Sequence, residues 1–301
     1  MWNLNVSGTH TAIVTPFREW EVDYEALKIL VWQQVAWSVE GIVSVGTTWE
    51  SPTLNRDEHI SVIQRTVEYA GGRCLVIWGT GSNSTQEAIE YTGGAEDVWA
   101  DWALVVAPYY NKPTPEWVFL HYREIAKHTT LPIILYSIQG RCWIEIQIDT
   151  VLRLARECPN IIAIKEAGWD VNKVRNMRAA LDNAGLQDFQ ILSWDDGLTL
   201  PFMSVGASWV ISVASNIIPG EVSDMVRLMN DGNLVDARKI ALKHNRLFND
   251  LFIESNPVPV KAALAAMYPD IFTTDVRLPL CRLSELSRAQ LMTTMQQIRL
   301  I

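Results

Sequence analysis

The sequence predicts an α/β protein: a (β/α)8 TIM barrel over residues 1–224 and a small C-terminal α-helical domain over 225–301. Three observations lead there. Short apolar runs rich in Val and Ile recur eight times, with amphipathic segments between them. The runs lack polar alternation, as expected for parallel strands covered on both faces. Past residue 215 the pattern changes to helices alone.

The runs are HTAIVTPF (10–17), GIVSVG (41–46), CLVIWG (74–79), ALVVAP (103–108), PIILYS (132–137), NIIAIKEA (160–167), FQILSW (189–194) and WVISVAS (209–215). Between them, stretches such as DYEALKILVWQQVA and RDEHISVIQRTVEYA repeat apolar residues at three and four, with acids near their starts. That is the signature of helices with one buried face. Eight strand–helix units in about 220 residues fit a barrel in number and length. A doubly wound open sheet uses the same units, but its glycine fingerprint is absent, since GTGSNS at 79–84 lacks both the spacing and the Lys. The segments PGEVSDMVRLMN, LVDARKIALKHNRLFNDLF, PVPVKAALAAM and SELSRAQLMTTMQQIRL supply the C-terminal helices.

A formal charge of −9 argues against nucleic acid or an anionic membrane as partner. No apolar run reaches membrane-spanning length, and MWNLNVSGTHTAIVTPF has no basic start before an apolar stretch. A soluble, cytoplasmic protein is expected. Cys74, Cys142, Cys158 and Cys281 are scattered, so reduced thiols are expected rather than a disulfide framework or zinc site. The five His are dispersed as well. Neither a metal nor a cofactor is expected.

Barrel chemistry gathers where the strands end. Those ends carry Thr47 and Thr48, Tyr109 and Tyr110, Tyr136, Lys165, Ser193 and Ser212, with Arg141 a turn beyond Tyr136. Apart from Glu50 and Glu166 no carboxylate stands there, which suits imine chemistry better than hydrolysis. Burial lowers the pKa of a Lys amine, and a neutral amine attacks ketones. A phenol can then shuttle protons. Each residue also has a plainer explanation. Lys165 and Arg141 could be surface charges, Tyr136 and Tyr110 core aromatics, and Thr47 and Thr48 helix caps. Their common position at strand ends favours a site.

Taken together, GTTWES (46–51), GTGSNST (79–85), APYYNKP (107–113), LYSIQGR (135–141), IKEA (164–167), DDGLTLP (195–201), VISVASN (210–216) and NPVPVKAAL (256–264) resemble the pyruvate-dependent class I aldolase superfamily. The resemblance runs from about residue 8 to about 285 and is greatest to the dihydrodipicolinate synthase family. It implies a Schiff base between Lys165 and pyruvate, with Tyr136 as proton donor and acceptor. Thr47 and Tyr110 would complete a proton relay, Tyr110 coming from the neighbouring subunit of a tight dimer. Thr48 would hold the pyruvate carboxylate, the Ile211 carbonyl would face the pyruvate-derived unit, and Arg141 would anchor L-aspartate 4-semialdehyde. It further implies a lysine-biosynthesis enzyme making 4-hydroxy-tetrahydrodipicolinate, usually a homotetramer, without metal or nucleotide. Ser51, His59, Asn83, Glu87 and Tyr109 match positions of a lysine effector site in sensitive relatives. Arg56 replaces a usual His there, adding positive charge near a cationic effector.

One feature departs from the family. There are 13 Trp against 7 Phe and 8 Tyr. Trp20, Trp49, Trp99, Trp117, Trp143, Trp169, Trp194 and Trp209 stand where the family has, or commonly has, Gly; Trp37, Trp78 and Trp102 extend the set. Such positions often need a left-handed φ or a close backbone approach. Deliberate Gly→Trp substitution would produce this pattern, as would a UGA codon for glycine read as tryptophan. With Trp in place, Trp49 is expected in a conformation cheap only for Gly, and with Trp194 it is expected to weaken pyruvate binding. Two further functions stay open on the sequence: a sister aldolase of the N-acetylneuraminate lyase or 2-keto-3-deoxy sugar acid type, and a barrel inactivated by these tryptophans.

Overall fold

The computed structural model describes residues 8–301; the reading of the N-terminus as free of a leader falls partly on residues 1–7, outside the described residues. Eight strands form a closed barrel: β1 (Gly8–Ala12), β2 (Gly41–Ser44), β3 (Leu75–Gly79), β4 (Trp102–Val106), β5 (Ile133–Ser137), β6 (Ile161–Glu166), β7 (Gln190–Ser193) and β8 (Trp209–Ser212). Their order around the barrel follows the chain, with β8 next to β1. Strands β1, β2, β5, β6 and β8 are buried along their whole length, which is why their sequences show no polar alternation.

The first strand stops earlier than the run 10–17 predicts. Past Ala12 the Ile13 N–H still donates to the Val43 carbonyl (3.3 Å), and then the partners change: the Val14 N–H donates to Asn216 Oδ1 (3.2 Å) and the Thr15 hydroxyl to the Trp49 carbonyl (2.8 Å). Pro16 then has no N–H to give. Phe17–Arg18 instead pairs antiparallel with Glu21–Val22 in a short ribbon. Strand β8 also ends early. The Ser212 hydroxyl accepts the Ser215 N–H at 2.9 Å and turns the chain into a 3-10 segment, Ala214–Asn216.

Helix starts follow the sequence signals. Asp23 caps Tyr24–Ala36 through the Ala26 N–H, and Asn55 with Glu58 forms a capping box on Arg56–Ala70. Two compact units emerge from the packing. Leu75–Ile211 holds β3 to β7 and most of β8. Gly8–Cys74 and Ser212–Ile301 make the other, which contains β1, β2 and the helices Pro219–Asn230, Leu234–Asp250, Val258–Met267 and Glu285–Gln297. In this second unit Leu234–Asp250 packs on Pro219–Asn230 and on Glu285–Gln297, where Thr294 donates to Asp250 at 2.5 Å. Among the described residues no helix is long and apolar enough to cross a membrane.

Three of the tryptophans expected at glycine positions lie in the left-handed region: Trp20 (φ 73°), Trp99 (φ 62°) and Trp143 (φ 64°). All three indoles are exposed, Trp99 at 85%. A bulky side chain there is a genuine outlier.

Candidate active site

Lys165 is the penultimate residue of β6, and its Cα partner on β5 is Tyr136. Burial on a strand covered on both faces removes the ammonium from water, and the Lys165 pKa falls from 10.5 to about 7. Desolvation is the main cause. The Arg141 guanidinium pushes in the same direction, and the Asp196 carboxylate opposes both. The Lys165 Nζ stands 4.1 Å from the centroid of the buried Tyr136 ring. An amine that is half neutral at neutral pH, beside a phenol, can attack a carbonyl carbon and pass protons at the same place.

Arg141 lies on the short helix Gln139–Cys142 that follows β5, with its side chain exposed. Asp196, at the start of a 3-10 segment after β7, is buried. Glu166 follows Lys165 but is committed elsewhere: it accepts the Gly168 N–H (2.9 Å) and pairs with Lys173 (2.9 Å), which also holds Glu145 (3.0 Å). Burial raises the Glu166 pKa despite this pairing. Tyr109 and Tyr110 stand in the loop after β4. Tyr110 is 89% exposed with φ 69°, so its ring lies in solvent on the single chain. Ile211, in β8, is buried, and the strand-end Ser193 donates to the Asp195 carbonyl at 3.2 Å.

Thr47 and Thr48 lie just past β2 in a single 3-10 turn, Thr47–Trp49. Two non-glycine residues in the left-handed region flank it, Val45 (φ 58°) and Glu50 (φ 58°). A β-branched residue in that region is strained, and such strain persists where the surroundings over-determine it. Here the surroundings are polar and buried. Asn256 donates to the Thr48 hydroxyl at 2.9 Å, and Lys261 pairs with Glu50 at 2.5 Å. Glu50 also accepts the Arg277 N–H at 3.0 Å. The expected strain at Trp49 is corrected by this geometry: the left-handed residues are its neighbours, and Trp49 itself is not among the positive-φ residues. Its indole is fully buried and donates to the Val43 carbonyl at 2.6 Å, so it covers no outer surface. Trp194, just past β7, is half-buried, with its ring centroid 6.2 Å from that of Trp169.

Of the effector-site candidates, Ser51 and His59 are half-buried, in the second 3-10 turn after β2 and on helix Arg56–Ala70. Glu87 is exposed and accepts the Ser82 hydroxyl at 2.6 Å. The Asn83 carbonyl accepts from Asn111 at 2.7 Å, and Tyr109 is exposed. Reading by strand ends did not assign roles to Asp196 and Asn256. Both lie in segments carrying the resemblance, DDGLTLP and NPVPVKAAL, which was the available signal.

A parallel eight-stranded barrel with a buried, low-pKa lysine beside a tyrosine defines the class: a (β/α)8-barrel enzyme with an amine suited to carbonyl chemistry. The chain belongs to the dihydrodipicolinate synthetase family, which it matches over residues 5–298. It is 46% identical to a 4-hydroxy-tetrahydrodipicolinate synthase of Geobacter sp. (strain M21) over 98% of this chain and 99% of that one. The solved structure of the corresponding synthase from Methylacidiphilum fumariolicum SolV superimposes with a TM-score of 0.94 at 46% identity, covering 98% of this chain and 96% of that chain. The chloride-inhibited dihydrodipicolinate synthase from Acinetobacter baumannii, solved in complex with pyruvate, gives 0.94 at 40% identity over 99% and 100%. These relatives favour the synthase over the sister-aldolase and inactivated-barrel readings.

Proposed function

We propose that the protein condenses pyruvate with L-aspartate 4-semialdehyde through a Schiff base on Lys165, giving 4-hydroxy-tetrahydrodipicolinate. The observation that carries this reading is the buried Lys165, with a pKa of about 7, 4.1 Å from the Tyr136 ring. The neutral amine adds to the pyruvate ketone, and the carbinolamine hydroxyl takes up a proton and leaves as water, giving a protonated imine. That cation takes up the electrons released when the methyl group loses a proton, and the resulting enamine carbon attacks the aldehyde. The adduct's own amino group then closes the ring and displaces Lys165. Without the imine, deprotonating the methyl group at neutral pH would be very unfavourable.

In this scheme Tyr136 donates and accepts the protons, with Thr47 and Tyr110 as relay partners. Thr48 holds the pyruvate carboxylate, the Ile211 carbonyl faces the pyruvate-derived unit and Arg141 takes the carboxylate of the semialdehyde. Lys165, Ile211, Tyr136, Thr47, Thr48 and Tyr110 each stand near or past the C-terminal end of a strand, where barrels of this kind carry chemistry. The exposure of Tyr110 suits a residue that reaches a neighbouring subunit. We accordingly assign a homotetrameric, cytoplasmic enzyme of lysine biosynthesis, with Ser51, His59, Asn83, Glu87 and Tyr109 as its lysine effector site. Borohydride reduction in the presence of pyruvate, followed by peptide mass spectrometry, tests the reading through the labelling of Lys165.

A further inference from the structure

The Thr48 hydroxyl is buried and accepts from the side-chain amide of Asn256, 208 positions later in the chain. A hydroxyl can accept through its lone pairs and donate through one O–H. An amide NH2 only donates. With the Asn256 Nδ2 2.9 Å away, the Thr48 oxygen is the acceptor in this contact, so its proton is turned away from Asn256. The backbone of the turn is fixed by other groups: Thr15 on the Trp49 carbonyl, and Lys261 and the Arg277 N–H on Glu50. The loop is thus anchored apart from Asn256, and the Asn256 amide adds a bond that sets the direction of one hydroxyl.

We propose that Asn256 is a positioning residue for the keto-acid substrate: its amide orients the Thr48 hydroxyl so that the proton points at the substrate carboxylate. This rests on the assignment of Thr48 to that carboxylate. A hydroxyl already facing its acceptor has no competing bond to break, and a hydrogen bond to a charged group is stronger than one between neutral groups. Asn256→Ala leaves the hydroxyl free to turn. Asn256→Asp, nearly isosteric, reverses the bond: the hydroxyl donates to the new carboxylate, whose negative charge also repels the substrate.

The test is borohydride trapping over a range of pyruvate concentrations, with pyruvamide as an uncharged comparison ketone. Folding of each variant is checked by thermal melting. The pyruvate needed for half-maximal labelling of Lys165 should rise on the order of tenfold in Asn256→Ala and further in Asn256→Asp, as expected for loss of one bond to a charged group. Pyruvamide labelling should lose less than pyruvate labelling, since its amide accepts the Thr48 proton only as a neutral group, and the KM for the aldehyde should move less than about twofold, since it does not involve that bond. In a Thr48→Val background, Asn256→Ala should have no further effect on pyruvate. An unchanged pyruvate requirement in folded Asn256→Asp overturns the proposal. So does an equal loss with pyruvamide, or an undiminished effect in the Thr48→Val background. Wild-type protein that pyruvate fails to label overturns the underlying function, and the positioning role with it.

Discussion

Tyr136 lies directly across from Lys165 in the β5–β6 pair, with the Lys165 Nζ 4.1 Å from the centre of its ring. The strand register alone produces this pairing. A ring face attracts an ammonium, yet burial outweighs that attraction and brings the Lys165 pKa to about 7. The amine is thus available for attack where a phenol can manage the protons.

Adduct formation should follow the neutral fraction of Lys165. Its rate is expected to rise from pH 6 to pH 8 with a midpoint near 7, the pKa of the buried amine. Stopped-flow mixing with pyruvate across that range measures it. A rate still climbing about tenfold per pH unit at pH 8, with its midpoint near the ordinary lysine value, would place the amine in water, and a flat profile would show that adduct formation does not follow this titration.

The same shift predicts a stability effect. The folded pKa of Lys165 lies below its unfolded value of 10.5, so between about 7 and 10.5 the unfolded chain binds more protons and stability rises with pH. Below about 7 the folded protein carries the full desolvation cost. Lys165→Met should therefore stabilise the protein by roughly a few kcal/mol at pH 6 and progressively less towards pH 10. Denaturant melts at both pH values decide it, and an equal effect at both would contradict the buried charge.

Tyr136→Phe removes the phenolic proton and keeps the ring over Lys165. Turnover is expected to fall by about 10²–10⁴-fold while trapping by pyruvate persists. Unchanged turnover in the assay with semialdehyde would remove Tyr136 from the proton relay.

Lysine inhibition should be weak. Arg56, at the start of helix Arg56–Ala70, is exposed, and its positive charge beside the proposed effector site disfavours a cationic effector. Half-inhibition is expected in the millimolar range or above, and Arg56→His should lower it. A rate that stays flat through millimolar lysine in both proteins would remove the effector site.

The left-handed backbone beneath Trp20, Trp99 and Trp143 is the conformation glycine adopts at little cost. Each Trp→Gly change is expected to relieve on the order of 1 kcal/mol of strain. The product of the native gene should carry Gly at these sites. Its intact mass would then be lower than that of the written chain by one Trp-to-Gly difference per site. A mass matching all 13 tryptophans would contradict this.

Much of the candidate site was legible because barrel geometry converts sequence order into position. Counting strand ends led to Lys165 and Tyr136, and their pairing follows from the register. The fates of Glu50 and Glu166 were not legible. Their partners, Lys261 and Lys173, are chosen by packing and not by any local spacing. The contact from Asn256 to Thr48 spans 208 positions and leaves no periodic trace. Trp49 misled for a related reason: which residue of a tight loop takes the left-handed conformation depends on the hydrogen bonds around it, and here Val45 and Glu50 take it.

The most direct measurement is borohydride reduction of the protein with pyruvate, followed by digestion and mass spectrometry of every lysine-containing peptide. A pyruvate adduct on Lys165 alone, lost in Lys165→Ala, is the expected result. An adduct on another lysine, or none in folded protein, would contradict the account.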